Sequence, residues 1–289
     1  MLFRGFTLDL RTFESAIEST FDASRYLWMF PLQPELVKLL LRLPVVGFLM
    51  RALLDRIEAK STGRTIHSDK ISELASDDTI QFPHHDYGIF FNVPQLIAFY
   101  CEEASAEGGE TLLCDAEAAY EQLDGTVRAA FERARYIRYK NRNQRYLPAF
   151  SAPALLHHPR TGGATINLTA YQHDAMANLA REYFPSSRIH SEEHHDTFSF
   201  EPRFVAHDGE GYDLAADELE KVIRTHLANS VVLRWRKGDL LLVDNFKVMH
   251  GRVNAGTPKK KVHLILCEYV RNPNGFLWPW SSRFGRTRR

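Results

Sequence analysis

The sequence predicts a β-rich α+β fold in which a strand core carries helices. Three observations lead there. Short apolar runs bounded by turn residues recur from residue 79 onward. Several helix-spaced segments lie toward the N-terminus. Neither GxGxxG nor GxxxxGK[ST] occurs, which argues against a doubly wound nucleotide-binding sheet.

Taken in order, residues 9–24 put Leu10, Phe13, Ile17 and Phe21 at helical spacing, and residues 51–59 continue the helical character. Residues 36–54 (LVKLLLRLPVVGFLMRALL) are the most apolar window. Lys38, Arg42 and Arg51 interrupt it, and its uncharged stretch over 43–50 is far short of the roughly 20 apolar residues of a membrane span. We read it as two amphipathic helices around Pro44, buried on the core; the alternative is a lid over an apolar substrate or a lipid-docking surface. Residues 69–78 are polar and read as loop. Residues 95–101 (QLIAFYC) and 111–114 read as buried strands, residues 116–123 and 126–135 as helices about an Asp124–Gly125 turn, and residues 136–140 as a strand. HPRTGG (158–163) is a turn, and residues 214–228 form an amphipathic helix with Leu219, Val222, Ile223 and Leu227 on one face. Strands are expected over 231–235, 239–243 and 261–269. We read residues 1–289 as a single domain, with 1–60 a helical N-terminal part packed on the strand core and 281–289 a basic tail.

Composition narrows the function. The chain has 289 residues, 36 Lys+Arg against 36 Asp+Glu, and no formal net charge, which argues against a protein whose main task is binding nucleic acid. Three cysteines (Cys101, Cys114, Cys267) without close pairing fit a reducing compartment, and the N-terminus lacks a signal-peptide pattern. The expected location is the cytoplasm and the expected partner a small-molecule substrate.

Thirteen histidines invite a metal, and position must decide among them. In FPHHDY (82–87), His84 and Asp86 share one face of an extended strand while His85 points to the other. A third ligand from a distant strand would complete two histidines and a carboxylate, the set that leaves coordination positions open in non-haem Fe(II) oxygenases. His250, in GDLLLVDNFKVMHGR, is that candidate. A second HHD, residues 194–196, repeats the pattern, but no apolar strand leads into it.

The residues downstream of the first motif separate the two. His84-x-Asp86, the proline-then-strand LIAFYCE, GGETLLCDAEAAYEQL, HPRTG and GDLLLVDN…HGR together resemble the taurine dioxygenase and clavaminate synthase-like oxygenases, over about two-thirds of the chain. The resemblance implies a double-stranded β-helix (jelly-roll, cupin-like) with Fe(II) at its mouth, held by His84, Asp86 and His250. It also implies 2-oxoglutarate as cosubstrate, hydrogen-bonded by Thr111, 27 residues after His84 (111 − 84). With O2 the cosubstrate is decarboxylated to succinate and CO2, and hydrogen is removed from a substrate C–H. Because Asp86 is retained where related halogenases carry a small residue, hydroxylation or desaturation is expected rather than halogenation.

The chain departs from the family at the arginine that anchors the far carboxylate of 2-oxoglutarate. Lys259, Lys260 and Lys261 stand in that stretch. Lys261, eleven residues after His250 (261 − 250), is the expected anchor, with Arg252 as the fallback cation. Lys261 and His263 share one strand face, and Lys260 shares the other with Val262, Leu264 and Leu266. His85 is expected to pack, His157 and His158 to lie at the surface, and Asp244 and Asn245 to hold the loop before His250. The basic stretch 139–145 is read as a solvated rim, and the cysteines as inert packing. Two other classes use the same residues: a zinc hydrolase with an activated water, for which no HExxH element is present, and a non-catalytic jelly-roll binding protein. The apolar 36–54 segment inclines the expected substrate toward an apolar or acyl-bearing, amino-acid-like or secondary-metabolite molecule.

Overall fold

A computed structural model describes residues 1–26, 34–62, 64–74, 81–88, 93–141, 150–167, 182–183, 200–252 and 260–268. The N-terminal third contains β1 (Leu2–Phe3), α1 (Leu10–Glu18), β2 (Asp22–Ala23), α2 (Pro34–Arg42), α3 (Pro44–Thr62), β3 (Thr65–Ile66), β4 (Ile71–Glu73) and β5 (Gln81–His84). The middle adds β6 (Leu96–Glu103), β7 (Thr111–Asp115), α4 (Ala116–Gln122), α5 (Gly125–Arg133), β8 (Ala134–Asn141), β9 (Phe150–Pro153), β10 (Leu155–His157) and β11 (Ala164–Ile166). The last part holds β12 (Phe200–Ala206), β13 (Gly211–Tyr212), α6 (Ala216–Ala228), β14 (Ser230–Leu233), β15 (Leu240–Asp244), β16 (Val248–Arg252) and β17 (Lys261–Glu268).

The larger sheet runs β1-β15-β6-β17-β4-β3, with β2 also on β17, and a smaller sheet runs β14-β7-β16-β5. Their ladders are antiparallel. A third sheet, β13-β12-β8-β9, and the β10-β11 hairpin complete the described strands.

Period-two alternation decides what each sheet faces. Ile97, Phe99 and Cys101 of β6, Leu241 and Val243 of β15, and Val262, Leu264 and Leu266 of β17 form one core with Leu113 and Val248 of the smaller sheet. The alternate residues, Leu96, Ala98, Tyr100, Ile265 and Cys267, pack instead against Phe13 and Ile17 of α1. Behind the smaller sheet, Cys114 and Met249 pack with Ala116, Ala119, Phe131 and Val222 of the helices. Asp9, Asp115 and Asp124 cap α1, α4 and α5 by accepting from the backbone N–H of Thr12, Ala118 and Val127.

Two readings need correction. Residues 71–73, expected as loop, are β4: Ile71 is buried and the strand pairs β17, so tertiary pairing overrides a polar local composition. Segment 36–54 does form two helices about Pro44, and Val37, Leu41 and Leu54 join the core. The rest of its apolar face is not buried, since Leu39, Leu43, Val45, Val46, Phe48, Leu49 and Leu53 are exposed. The second HHD, Lys259 and the 281–289 tail lie outside the described residues. Among the described residues, no helix is long and apolar enough to cross a membrane.

Candidate active site

β16 brings the expected ligands together. His250 lies directly opposite His84 across the β16–β5 ladder, and opposite Leu113 across β16–β7. The two imidazole rings are 4.7 Å apart at their centroids. Asp86 follows one residue beyond His85, past the end of β5. One ligand atom from each of His84, Asp86 and His250 lies within 4.8 Å of the others. Phe99, from the facing sheet, stands edge-on over His250 at 5.4 Å.

The protonation states suit a divalent metal. His84 Nδ1 lies 2.7 Å from the Phe82 carbonyl, so it carries the proton and leaves the Nε2 lone pair for a ligand bond. Burial lowers the pKa of both histidines, to about 3 for His250, where the neighbouring His84 adds to the effect. For Asp86, burial works against the charged form, but Arg64 first and then the two histidines outweigh it and hold the carboxyl below its ordinary range. Two neutral imidazoles and an ionised carboxylate result.

The backbone around Asp86 is held from outside. Asn245 Oδ1 accepts from the Asp86 N–H at 3.1 Å, while its amide nitrogen donates to the carbonyls of Asp86 and Pro94 at 3.2 and 2.9 Å. Tyr87, next in the chain, takes φ +60°, a left-handed conformation that costs an aromatic residue energy. Asp244 accepts from the N–H groups of Phe246 and Lys247 and bonds His158 Nε2 at 2.8 Å. The loop-holding roles expected of Asp244 and Asn245 are present.

Three positions depart from the sequence-based expectation. His158, read as a surface residue, is buried: its Nδ1 accepts from the N–H of Arg160 and Thr161, so it builds the HPRTG turn, whereas His157 is exposed. Arg64, just before β3, donates through Nη2 to both carboxylate oxygens of Asp86, at 3.0 and 3.2 Å. No motif marks it. The third concerns the lysines. Lys261 points outward, half-exposed, with its ammonium 2.7 Å from Glu103. The strand parity holds, but Lys261 is on the wrong face for the site. In two facing sheets the core face and the site face are the same, so the inward lysine is Lys260, in line with Val262 and Leu264.

Lys260 donates to the Gly109 carbonyl and lies 5.7 Å from the centre of the Trp235 ring. Loss of solvent, followed by the nearby charge of Arg252, lowers its pKa to about 7. Trp235 Nε1 donates to Thr111 Oγ1 at 2.8 Å, so the hydroxyl proton of Thr111 is left to point elsewhere. Thr111 pairs with Arg252 across β7–β16, and both are buried. Thr111, Lys260 and Arg252 thus form a polar, cationic neighbourhood on the face that also carries His250.

A β-rich fold with two histidines and a carboxylate on the inner face of facing sheets has the donor set of the non-haem Fe(II) oxygenases. Residues 46–267 match the family described as taurine catabolism dioxygenase TauD, TfdA family, and the chain belongs to it. It is similar to the 3-((Z)-2-isocyanoethenyl)-1H-indole synthase of Fischerella ambigua (23% identity over 208 residues, 69% of this chain and 68% of that one). The tyrosine isonitrile desaturase of Pseudomonas aeruginosa is 26% identical over 202 residues, 66% of this chain and 62% of that one. Among solved structures, the PvcB protein from Pseudomonas aeruginosa shares the fold with a TM-score of 0.54 at 18% identity, covering 94% of this chain and 77% of that one. PvcB is described as an Fe, alpha-ketoglutarate dependent oxygenase from an isonitrile synthetic pathway. The chain is an Fe(II)- and 2-oxoglutarate-dependent oxygenase, an oxidoreductase that consumes O2.

Proposed function

We propose that His84, Asp86 and His250 hold the iron, and that the far carboxylate of 2-oxoglutarate lies against Thr111, Lys260 and Arg252. The substrate we infer is a small amino-acid-like or acyl-bearing molecule on a secondary-metabolite route, of the amino-acid-derived isonitrile kind that the named relatives suggest. The observation that carries the reading is the convergence of the three ligand atoms within 4.8 Å, on the face shared with Thr111. When bound, iron would activate O2, the oxidant, while 2-oxoglutarate gives up two electrons as it is split to succinate and CO2. The chain's own groups do the rest. Asp86 can give one oxygen to the metal and keep the other on Arg64. The Thr111 hydroxyl, already accepting from Trp235, donates to the carboxylate. Phe99 and Trp235 keep water from the inner face.

The same reading takes the two facing sheets as a double-stranded β-helix, the whole of 1–289 as one oxygenase domain with 1–60 its helical N-terminal part packed on that core, and 281–289 as a basic tail. Three free, buried cysteines support a cytoplasmic location.

Anaerobic titration of the Fe(II) protein with 2-oxoglutarate tests the site. A metal-to-ligand absorption band saturating at one equivalent is expected. It should be lost in His84→Ala and retained in His194→Ala. Equal loss in both folded variants would overturn the ligand assignment. Absence of any band in the parent would favour the zinc hydrolase or the binding protein.

A further inference from the structure

On the opposite face of β17 from the iron ligands, a second group of metal-binding side chains converges. His67 sits in the β3–β4 turn, where its N–H donates to the Ile71 carbonyl at 3.0 Å and fixes the hairpin. Glu73, at the end of β4, is the ladder partner of His263 on β17. One nitrogen from each histidine and one carboxylate oxygen of Glu73 lie within 4.8 Å of one another. The rings of His67 and His263 are 5.1 Å apart.

The hydrogen bonding leaves this group ready for a cation. His263 is 1% exposed, and its Nε2 lies 2.7 Å from Glu102. That bond places the ring proton on Nε2 and the lone pair on Nδ1, which is buried and has no hydrogen-bond partner among the described residues. A carboxylate orienting a histidine from behind is how metal-ligating imidazoles are commonly held. His67 Nε2 and Glu73 share one proton across 3.0 Å. Glu73 and Glu102 flank the group, and the nearby ammonium of Lys261 is turned onto Glu103. The local charge therefore favours a cation. Two imidazoles and a carboxylate select zinc-like ions over calcium or magnesium, which prefer all-oxygen shells.

We propose that His67, Glu73 and His263 bind a second divalent ion of the zinc type, separate from the iron, that ties the β3–β4 hairpin to the larger sheet. The ion takes the place of the proton shared by His67 and Glu73. Bound there, it braces the arm whose first residues include Arg64, the partner of Asp86.

The test is zinc binding by the full chain with the iron ligands removed (His84→Ala/His250→Ala), followed by equilibrium dialysis and by the visible bands of Co²⁺ used as a probe. One equivalent is expected, with a rise in thermal midpoint of about 5 °C at saturating zinc. Adding His67→Ala or Glu73→Gln, both at partly exposed positions, should weaken binding by at least about 100-fold and cancel the rise. If the double variant does not fold, the wild-type chain loaded with iron should take up one further zinc that His67→Ala abolishes. Zinc binding unchanged by His67→Ala and Glu73→Gln, or no zinc beyond the iron site, would overturn the proposal and leave two hydrogen-bonded His–Glu pairs. Because the residues lie on the other side of the sheet, loss of the iron assignment would leave this result untouched.

Discussion

Asn245 commits both ends of its amide to backbone groups on either side of Asp86, far away in sequence. Asn245→Ala leaves one buried N–H and two carbonyls without partners, which costs about 2–3 kcal/mol and loosens Asp86. We expect a lower thermal midpoint and weaker Fe(II) binding. Asn245→Asp should be no better, because a carboxylate cannot donate to the two carbonyls; recovery of wild-type iron affinity in that variant would count against the clamp. The lysines separate in the same way. Lys260→Ala removes the inward cation beside Thr111 and should raise the 2-oxoglutarate KM by about 30-fold or more, as for a buried charge left unpaired at roughly 2 kcal/mol or above. Lys261→Ala, on the outer face, should change it little. With its pKa near 7 before the anion arrives, Lys260 must take up a proton to pair with the carboxylate at higher pH. Affinity for 2-oxoglutarate should therefore weaken as pH rises above about 7, and Lys260→Arg should flatten that dependence. The convergence of His84, Asp86 and His250 was legible in the sequence because ligand chemistry needs particular side chains at a particular alternation. Arg64 was not, because a cation reaching a carboxylate 22 residues later (86 − 64) through a hairpin leaves no local pattern.

At the scale of elements, the strands that pair in the core were readable as apolar runs, and the helices α4 and α5 as helical segments about the Asp124–Gly125 turn. β4 was not, since Ile71–Glu73 offers a single apolar side chain and owes its state to β17 and β3. The α2–α3 corner shows the limit of patterning in another way. The window is apolar on more sides than the core can receive, so periodicity alone could not say which residues would remain outside. What sets the corner is Gly47. Its N–H bonds the Leu43 carbonyl, and a side chain there would put Cβ 2.2 Å from the Leu41 carbonyl oxygen, which also accepts from Arg51. Gly47→Ala should force the two helices apart, at a cost of about 1–3 kcal/mol read from denaturant melts. An unchanged transition midpoint would mean that the corner has room to give.

Across the whole molecule, stability should depend on pH through histidines kept neutral. His85 and His250 stay unprotonated down to about pH 3, chiefly through burial, and His84 and His226 are lowered as well. In the unfolded chain each titrates near 6.5. The unfolded state therefore binds more protons between about pH 6.5 and 3; their contribution is complete above 6.5 and is lost progressively as pH falls. Each group contributes up to about 1.4 kcal/mol per pH unit in that window. The metal-free protein should melt at steadily lower temperature from pH 6.5 to 4.5, and iron should oppose the loss by competing with protons for His84 and His250. A midpoint flat over that range would show that these histidines are hydrated. The sheet order has a further consequence, for the time course of synthesis. β6 pairs with β15, which comes 140 residues later (240 − 100), and His84 meets His250 only after 166 more residues (250 − 84). Such distant pairings are slow to form, and no early portion of the nascent chain contains both halves of the proposed iron site. With the iron at His84, Asp86 and His250 as proposed, its loading would wait until β16 has left the ribosome, and until then apolar strands such as β6 lack their partners and are open to aggregation.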